Sequence, residues 1–397
     1  MNNIQRKGIG KMKIYKKVIA CILTLMMFFA QMPVNVFAEE QEANMALDII
    51  LVLDVSGSMS DPISKTDSTK RIDILKDSIN QFIDSFAQSN SKKNDEKYQS
   101  RISIIKFAGK TPESTNKVGN DTYTENRYTY NYTQIMNDFF TATNENKAQL
   151  KGVVNSIKPA GGTRSDYAME LALEQIKQSK NDQNRKYAKR VVLFLTDGQP
   201  TAFSTFDDTV ANGAIKASKE IKKDAEVYAF GMFTETNPSS TGHAGSSWTD
   251  KEKFNAYMHG VSSNYPDATA YDNLGDRAKN SAYYMGVKNS DDAKTAIKNV
   301  VNKLFSMTYA DANYTKVTEA KKRIPSDLTL YTDETVQALE DALKDVKYDL
   351  DITQQDTVDG YADAINKAIA QLKYKAADYT EVDKAIEKAN KLNKENY

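Results

Sequence analysis

From Ala46 to about Met307 the chain alternates short, continuous apolar runs with longer stretches in which apolar residues recur every three or four positions. Runs such as Ile49-Ile50-Leu51-Val52-Leu53 and Val191-Val192-Leu193-Phe194-Leu195 are too uniformly apolar for a strand with one wet face. They predict strands covered on both sides. Strands are expected at 46–53, 101–107, 190–196, 226–232 and 282–287, with an edge strand within 129–141. The spacing of Ile72, Leu75, Ile79, Phe82, Ile83 and Phe86 predicts a core-facing helix, and Ala293 to Phe305 repeats that pattern. Such alternation specifies an α/β fold, a doubly wound and mostly parallel sheet flanked by helices.

Three polar insertions, at about 108–134, 233–250 and 262–281, interrupt this frame. They follow strand C-terminal ends, directly or across a short helix, and are expected to crowd that face of the sheet. The first carries Tyr123, Tyr128, Tyr130 and Tyr132 among Asn, Thr and Glu. That mixture suits either protein recognition, where tyrosine offers contact area at low entropy cost, or cover for the sheet edge.

After Tyr309 the pattern becomes helical throughout. Tyr314–Ile324, Asp333–Val346 and Asp356–Leu372 carry apolar residues at helical spacing, enough for an all-α three-helix unit over 310–376. Tyr379-Thr380-Glu381-Val382-Asp383-Lys384-Ala385 then echoes Tyr314-Thr315-Lys316-Val317-Thr318-Glu319-Ala320, so 377–397 reads as the start of a second, truncated copy.

At the other end, a basic stretch to Lys17, an apolar core from Val18 to Ala30 and Val36-Phe37-Ala38 before Glu39-Glu40 read as a secretory signal over 1–38, with 39–45 as a linker. A retained anchor is disfavoured because the apolar run stops at Gln31, short of a bilayer span. Val18-Ile19-Ala20-Cys21 has the letters of a lipobox, but Cys21 begins the apolar core instead of ending it. Cleavage after Ala38 removes the only cysteine, so no disulfide can staple the mature chain. It also removes six basic residues and no acid: 47 basic residues then face 53 acidic ones. A net charge near −6 argues against a nucleic-acid partner.

The chemistry concentrates where apolar runs end. Asp54-Val55-Ser56-Gly57-Ser58 leaves the first predicted strand; Gly161-Gly162-Thr163 opens a helix; Thr196-Asp197-Gly198 leaves a later strand. Open α/β sheets bind ligands at such strand ends. Two carboxylates and three hydroxyls form an oxygen-only set, which suits a hard divalent cation, Mg²⁺ first and Mn²⁺ or Ca²⁺ as alternatives.

Asp54, Ser56, Ser58, Thr163 and Asp197, in that order of strand, turn and later strand, resemble the von Willebrand factor A-type domain with its metal-ion-dependent adhesion site. The resemblance implies that the two serines and the threonine ligate the ion directly, that the aspartates act through water, and that a carboxylate from a partner protein completes the coordination. Asp61 sits where one branch of the family begins a second metal site, but Pro62 replaces the acid that would follow. The helical segment resembles FIVAR-type repeats of Gram-positive surface proteins.

Together these imply a domain at 46–309 acting as the head of a secreted or cell-wall-attached adhesin, with the repeats as a stalk. Its expected partner is a carboxylate-bearing protein such as a host extracellular-matrix component. The alternative is a structural pilus or wall component whose metal only stabilises the fold, with pilus subunits or cell wall as partners. Enzyme readings fare worse. An aspartyl phosphatase needs a second acid where Ser56 stands, and a serine hydrolase needs a base, for which only His243 and His259 are available.

Overall fold

The computed structural model describes residues 44–113, 118–202, 205–240 and 247–392. The leader with Cys21, residues 39–43 of the linker, and His243 lie outside these residues. The chain divides into two compact units, described separately below. One holds Asp48–Ile176 and Arg190–Ser306; the other holds Met307–Tyr397 with the short segments Asn44–Leu47 and Lys177–Lys189.

The first unit is built on a six-stranded sheet of β1 (Leu47–Asp54), β2 (Arg101–Phe107), β5 (Gln134–Phe140), β6 (Lys189–Thr196), β7 (Ala225–Gly231) and β8 (Tyr284–Gly286). The spatial order is β5-β2-β1-β6-β7-β8. Neighbours from β2 to β1 and from β6 to β8 run parallel, and only β5, at the edge, is antiparallel. All eight residues of β1 are buried, as a strand covered on both faces requires. The five strands expected with explicit limits lie within two residues of them, and β5 falls inside the window expected for the edge strand. The sheet is mostly parallel and flanked by helices, as the alternation predicted.

Helices α1 (Arg71–Ser91), α2 (Lys147–Ser156), α3 (Ser165–Asn181), α4 (Asp208–Ile221), α5 (Asp250–Val261) and α6 (Ser290–Phe305) supply that cover. The two predicted stripes meet: Phe86 of α1 packs edge-on against Phe305 of α6, ring centroids 5.0 Å apart. The first insertion, expected only as a polar stretch, has regular structure of its own. It folds as a hairpin of β3 (Thr122–Glu125) and β4 (Tyr128–Asn131), forming its own two-stranded sheet.

The second unit is helical, with α7 (Thr315–Lys322), α8 (Asp333–Lys344) and α9 (Gln355–Ala370) closing over a small core of Val317, Ala320, Leu339, Val358, Ala362 and Ile365. A further helix, α10 (Thr380–Asn390), buries none of its residues. Its start repeats that of α7: the Asp378 carboxylate accepts the Thr380 N–H at 2.9 Å, as the Asn313 side chain accepts that of Thr315 at 2.9 Å. Among the described residues, no helix is long and apolar enough to cross a membrane.

Candidate metal centre

β1 delivers Asp54 to its C-terminal end fully buried. One carboxylate oxygen accepts the Ser56 N–H at 2.8 Å, and the other accepts the hydroxyl of Thr196, the last residue of β6, at 2.6 Å. The next residues extend the parallel ladder through Val55 N–H to Phe107 O at 3.0 Å. They then tie to the segment before α3: Ala160 N–H reaches Val55 O at 2.8 Å and Gly57 N–H reaches Gly161 O at 3.0 Å. Gly161 has φ +109°, which favours glycine, and a Cβ there would stand 3.0 Å from the Tyr130 ring.

These loops bring the hydroxyls together. Ser56 Oγ and Ser58 Oγ are 3.1 Å apart, and Ser58 Oγ donates to Asp197 Oδ1 at 2.9 Å. Thr163 comes from the third segment, its backbone paired in both directions with Thr201 at 3.2 Å. A Cβ built on Gly198 would lie 3.6 Å from both Ser58 Oγ and Thr163 Oγ1, so two hydroxyls from separate loops face one glycine. Ser56, Ser58, Thr163 and Asp197 therefore converge, and Asp54 lies beneath them, joined through Ser56 and Thr196.

Burial pushes the Asp54 carboxyl up to about 7, the neighbouring Asp197 adding to the effect and the Ser56 and Thr196 hydrogen bonds opposing it. Asp197 is also raised by burial, against the pull of Arg71. Arg71, the first residue of α1, donates from Nη1 to Asp197 Oδ2 at 2.9 Å and to the Ser58 carbonyl at 3.3 Å. Of the two buried carboxylates only Asp197 is paired with a guanidinium, and a further cation would relieve the remaining charge. Among the described residues no cluster of three or more His, Cys, Asp or Glu side chains could hold a metal ion. Here hydroxyls complete the donor set, which fits an oxygen-seeking divalent cation.

Sequence reasoning missed Arg71, which a single basic residue ahead of an apolar stripe does not announce. It also missed Lys106, fully buried on β2, whose amine donates to Asn120 Oδ1 at 2.7 Å and Asp121 O at 2.8 Å beneath the hairpin. Of the insertion tyrosines, Tyr123 stacks on Tyr130 at 5.2 Å and meets Tyr132 at 4.6 Å, whereas Tyr128 is 69% exposed. Three support the hairpin and one is free for contact. The other insertions meet each other through Trp248 and Tyr271, ring centroids 5.6 Å apart. A pocket of about 380 Å³ opens beside Asp197, lined in part by Arg71, Gln199, Phe233, Glu235 and Phe254. His259 is fully buried, its ring set edge-on to Tyr265 and Tyr284.

Residues 49–199 match the family of von Willebrand factor type A domains, a stretch that includes all five candidate ligands. Among solved structures, the pilus adhesin SpaC from Lactobacillus rhamnosus GG is similar at 15% identity over 68% of this chain, TM-score 0.45. A von Willebrand factor type A protein from Catenulispora acidiphila is similar at 11% identity over 67%, TM-score 0.41. The PilB minor pilin from Streptococcus sanguinis is similar at 13% over 69%, TM-score 0.41. The chain spans 32%, 44% and 63% of those three chains, respectively. No curated protein matches the sequence.

Proposed function

We propose that the α/β unit is the divalent-cation-dependent binding head of a secreted, surface-displayed bacterial adhesin, and that its partner is a protein segment offering a carboxylate. The observation that carries this reading is the pair of buried carboxylates, Asp54 and Asp197, of which only Asp197 meets a guanidinium, roofed by three hydroxyls. Each oxygen of both carboxylates already accepts a hydrogen bond. In this reading the hydroxyls of Ser56, Ser58 and Thr163 meet the ion directly, and the carboxylates, already engaged by these hydrogen bonds, supply charge and orientation.

A bound divalent ion, Mg²⁺ first, supplies a positive point that takes an anionic oxygen. Neutral hydroxyl ligands leave much of its charge uncancelled, which favours an acidic partner over a neutral one. Ser58 is half-buried while Asp54 is sealed, so access is from the hydroxyl side. The reading is binding and not catalysis: the sealed His259 ring is set against Tyr265 and Tyr284 in the core, where it does not serve as a base. The three-helix unit, as the first of the FIVAR-like repeats, is read as a stalk.

Calorimetric titration of Mg²⁺ and Mn²⁺ tests the site. Asp54→Ala is expected to abolish ion binding and leave the sheet folded, since apolar burial holds it. Candidate matrix proteins are then titrated with and without chelator. Thr163→Ala is expected to weaken partner binding more than ion binding. Ion binding without any chelator-sensitive partner supports instead a wall or pilus component with a stabilising metal.

A further inference from the structure

We infer that Arg71 trades ion affinity for partner affinity at this centre, an inference that rests on the metal-dependent reading above. Two other Arg–Asp pairs of the unit are bidentate. Arg101 grips Asp48 at 3.0 and 2.7 Å, and Arg164 grips Asp166 at 2.9 and 2.6 Å. Arg71 reaches Asp197 through a single nitrogen, on Oδ2, while Oδ1 accepts the Ser58 hydroxyl. Its Nε is buried with no hydrogen-bond partner. A pair built for stability uses the guanidinium fork; this one leaves the carboxylate shared between the cation and a candidate ligand.

The position is fixed by backbone, not chance. Arg71 N–H donates to Asp61 O at 3.1 Å, and Pro62 bridges to Lys70, so the loop after the serines closes where α1 begins. The side chain is 19% exposed and the Asp197 side chain 0%, so their attraction is little screened.

Charge counting gives the consequence. With both carboxyls ionised, Asp54, Asp197 and Arg71 sum to a single negative charge. A divalent ion then leaves these three groups at +1 and, once the Asp61 carboxylate that also acts on Asp197 is included, the centre near zero; without Arg71 each total is one unit lower. Arg71 therefore weakens the hold on the ion and strengthens the loaded centre's attraction for an anion.

The test titrates Mn²⁺ into the full chain by calorimetry for wild type, Arg71→Gln and Arg71→Lys. Acetate serves as the carboxylate probe, followed by water-proton relaxation of the bound Mn²⁺. Arg71→Gln is expected to bind Mn²⁺ about tenfold tighter or more, to gain a larger ion-induced rise in Tm, and to bind acetate more weakly once loaded. Arg71→Lys, which keeps the charge, is expected to stay near wild type on all three. Mn²⁺ affinity that falls or is unchanged in Arg71→Gln overturns the inference, a fall assigning Arg71 to holding Asp197 in place. Wild type that takes up no Mn²⁺ removes the metal-dependent reading and this inference with it; wild-type binding with the wrong response in the variants removes the inference alone.

Discussion

The two units bury very different things. The α/β unit encloses, besides its apolar core, Asp48, Asp54, Lys106, Asp197 and His259, each below 6% exposure. The helical unit buries no polar or charged side chain among its described residues after Met307, and its core is mainly alanine and valine with Leu339 and Ile365. Burying an ionisable group is costly unless neighbours compensate, so a unit that buries Asp54 and Asp197 at the C-terminal ends of two strands has packing deep enough to hold a charged site. The helices after Met307 have neither the depth nor, among their described residues, the groups.

The largest expected effect comes from breaking that difference in depth. Leu339→Ala in the helical unit should cost about 2–5 kcal/mol, comparable with all that a bundle of this size holds. Calorimetry should show the helical transition lost at 37 °C while the α/β transition is unmoved. Phe194→Ala, which removes the ring stacked on Phe107 at 5.4 Å, should cost about 3–5 kcal/mol and lower only the other transition. If either substitution shifts both transitions together, the units do not unfold independently.

Acid should separate them next. Burial, with a contribution from Arg277, pushes His259 down to about 4. The folded α/β unit therefore keeps the ring neutral while the unfolded chain takes up a proton below about 6.5, so stability is complete above that pH and falls as pH drops towards 4. The loss is at most about 3 kcal/mol. The helical unit, which contains no histidine, should lack this component. His259→Phe should remove it from the α/β unit; an unchanged acid slope in that variant would assign the slope to the carboxylates.

Much of this was legible because continuous apolar runs fix buried strands, and a polar residue at the end of such a run has few places to go. Asp54 and Asp197 were found that way. The hairpin was not, because Thr122–Glu125 and Tyr128–Asn131 lack an apolar alternation and are mostly exposed. Its turn was hidden as well. Asn126 and Arg127 take φ of 49° and 70°, positive at both central positions as a type I′ turn requires, but Arg127 stands where glycine usually signals it. Arg71 meets Asp197 across 126 residues of sequence, a tertiary coincidence that no local pattern carries.

The smallest expected effect on stability is the sharpest on function. Tyr128 in the hairpin is 69% exposed and Tyr374 in the helical unit 70%, so truncating either should cost within about 1 kcal/mol. Their surroundings differ. Tyr128 shares a hairpin face with Tyr130, whose ring lies against Gly161, and Gly161 holds the backbone between Ser56 and Ser58. Tyr374 stacks on Tyr331 at 4.6 Å, among helices whose described residues after Met307 bury no charge. If the hairpin is part of the recognition face, Tyr128→Ala should weaken a chelator-sensitive partner several-fold while leaving Mn²⁺ affinity unchanged, and Tyr374→Ala should alter neither. Equal effects of the two on partner binding would mean that recognition does not run through the hairpin, whatever the ion does.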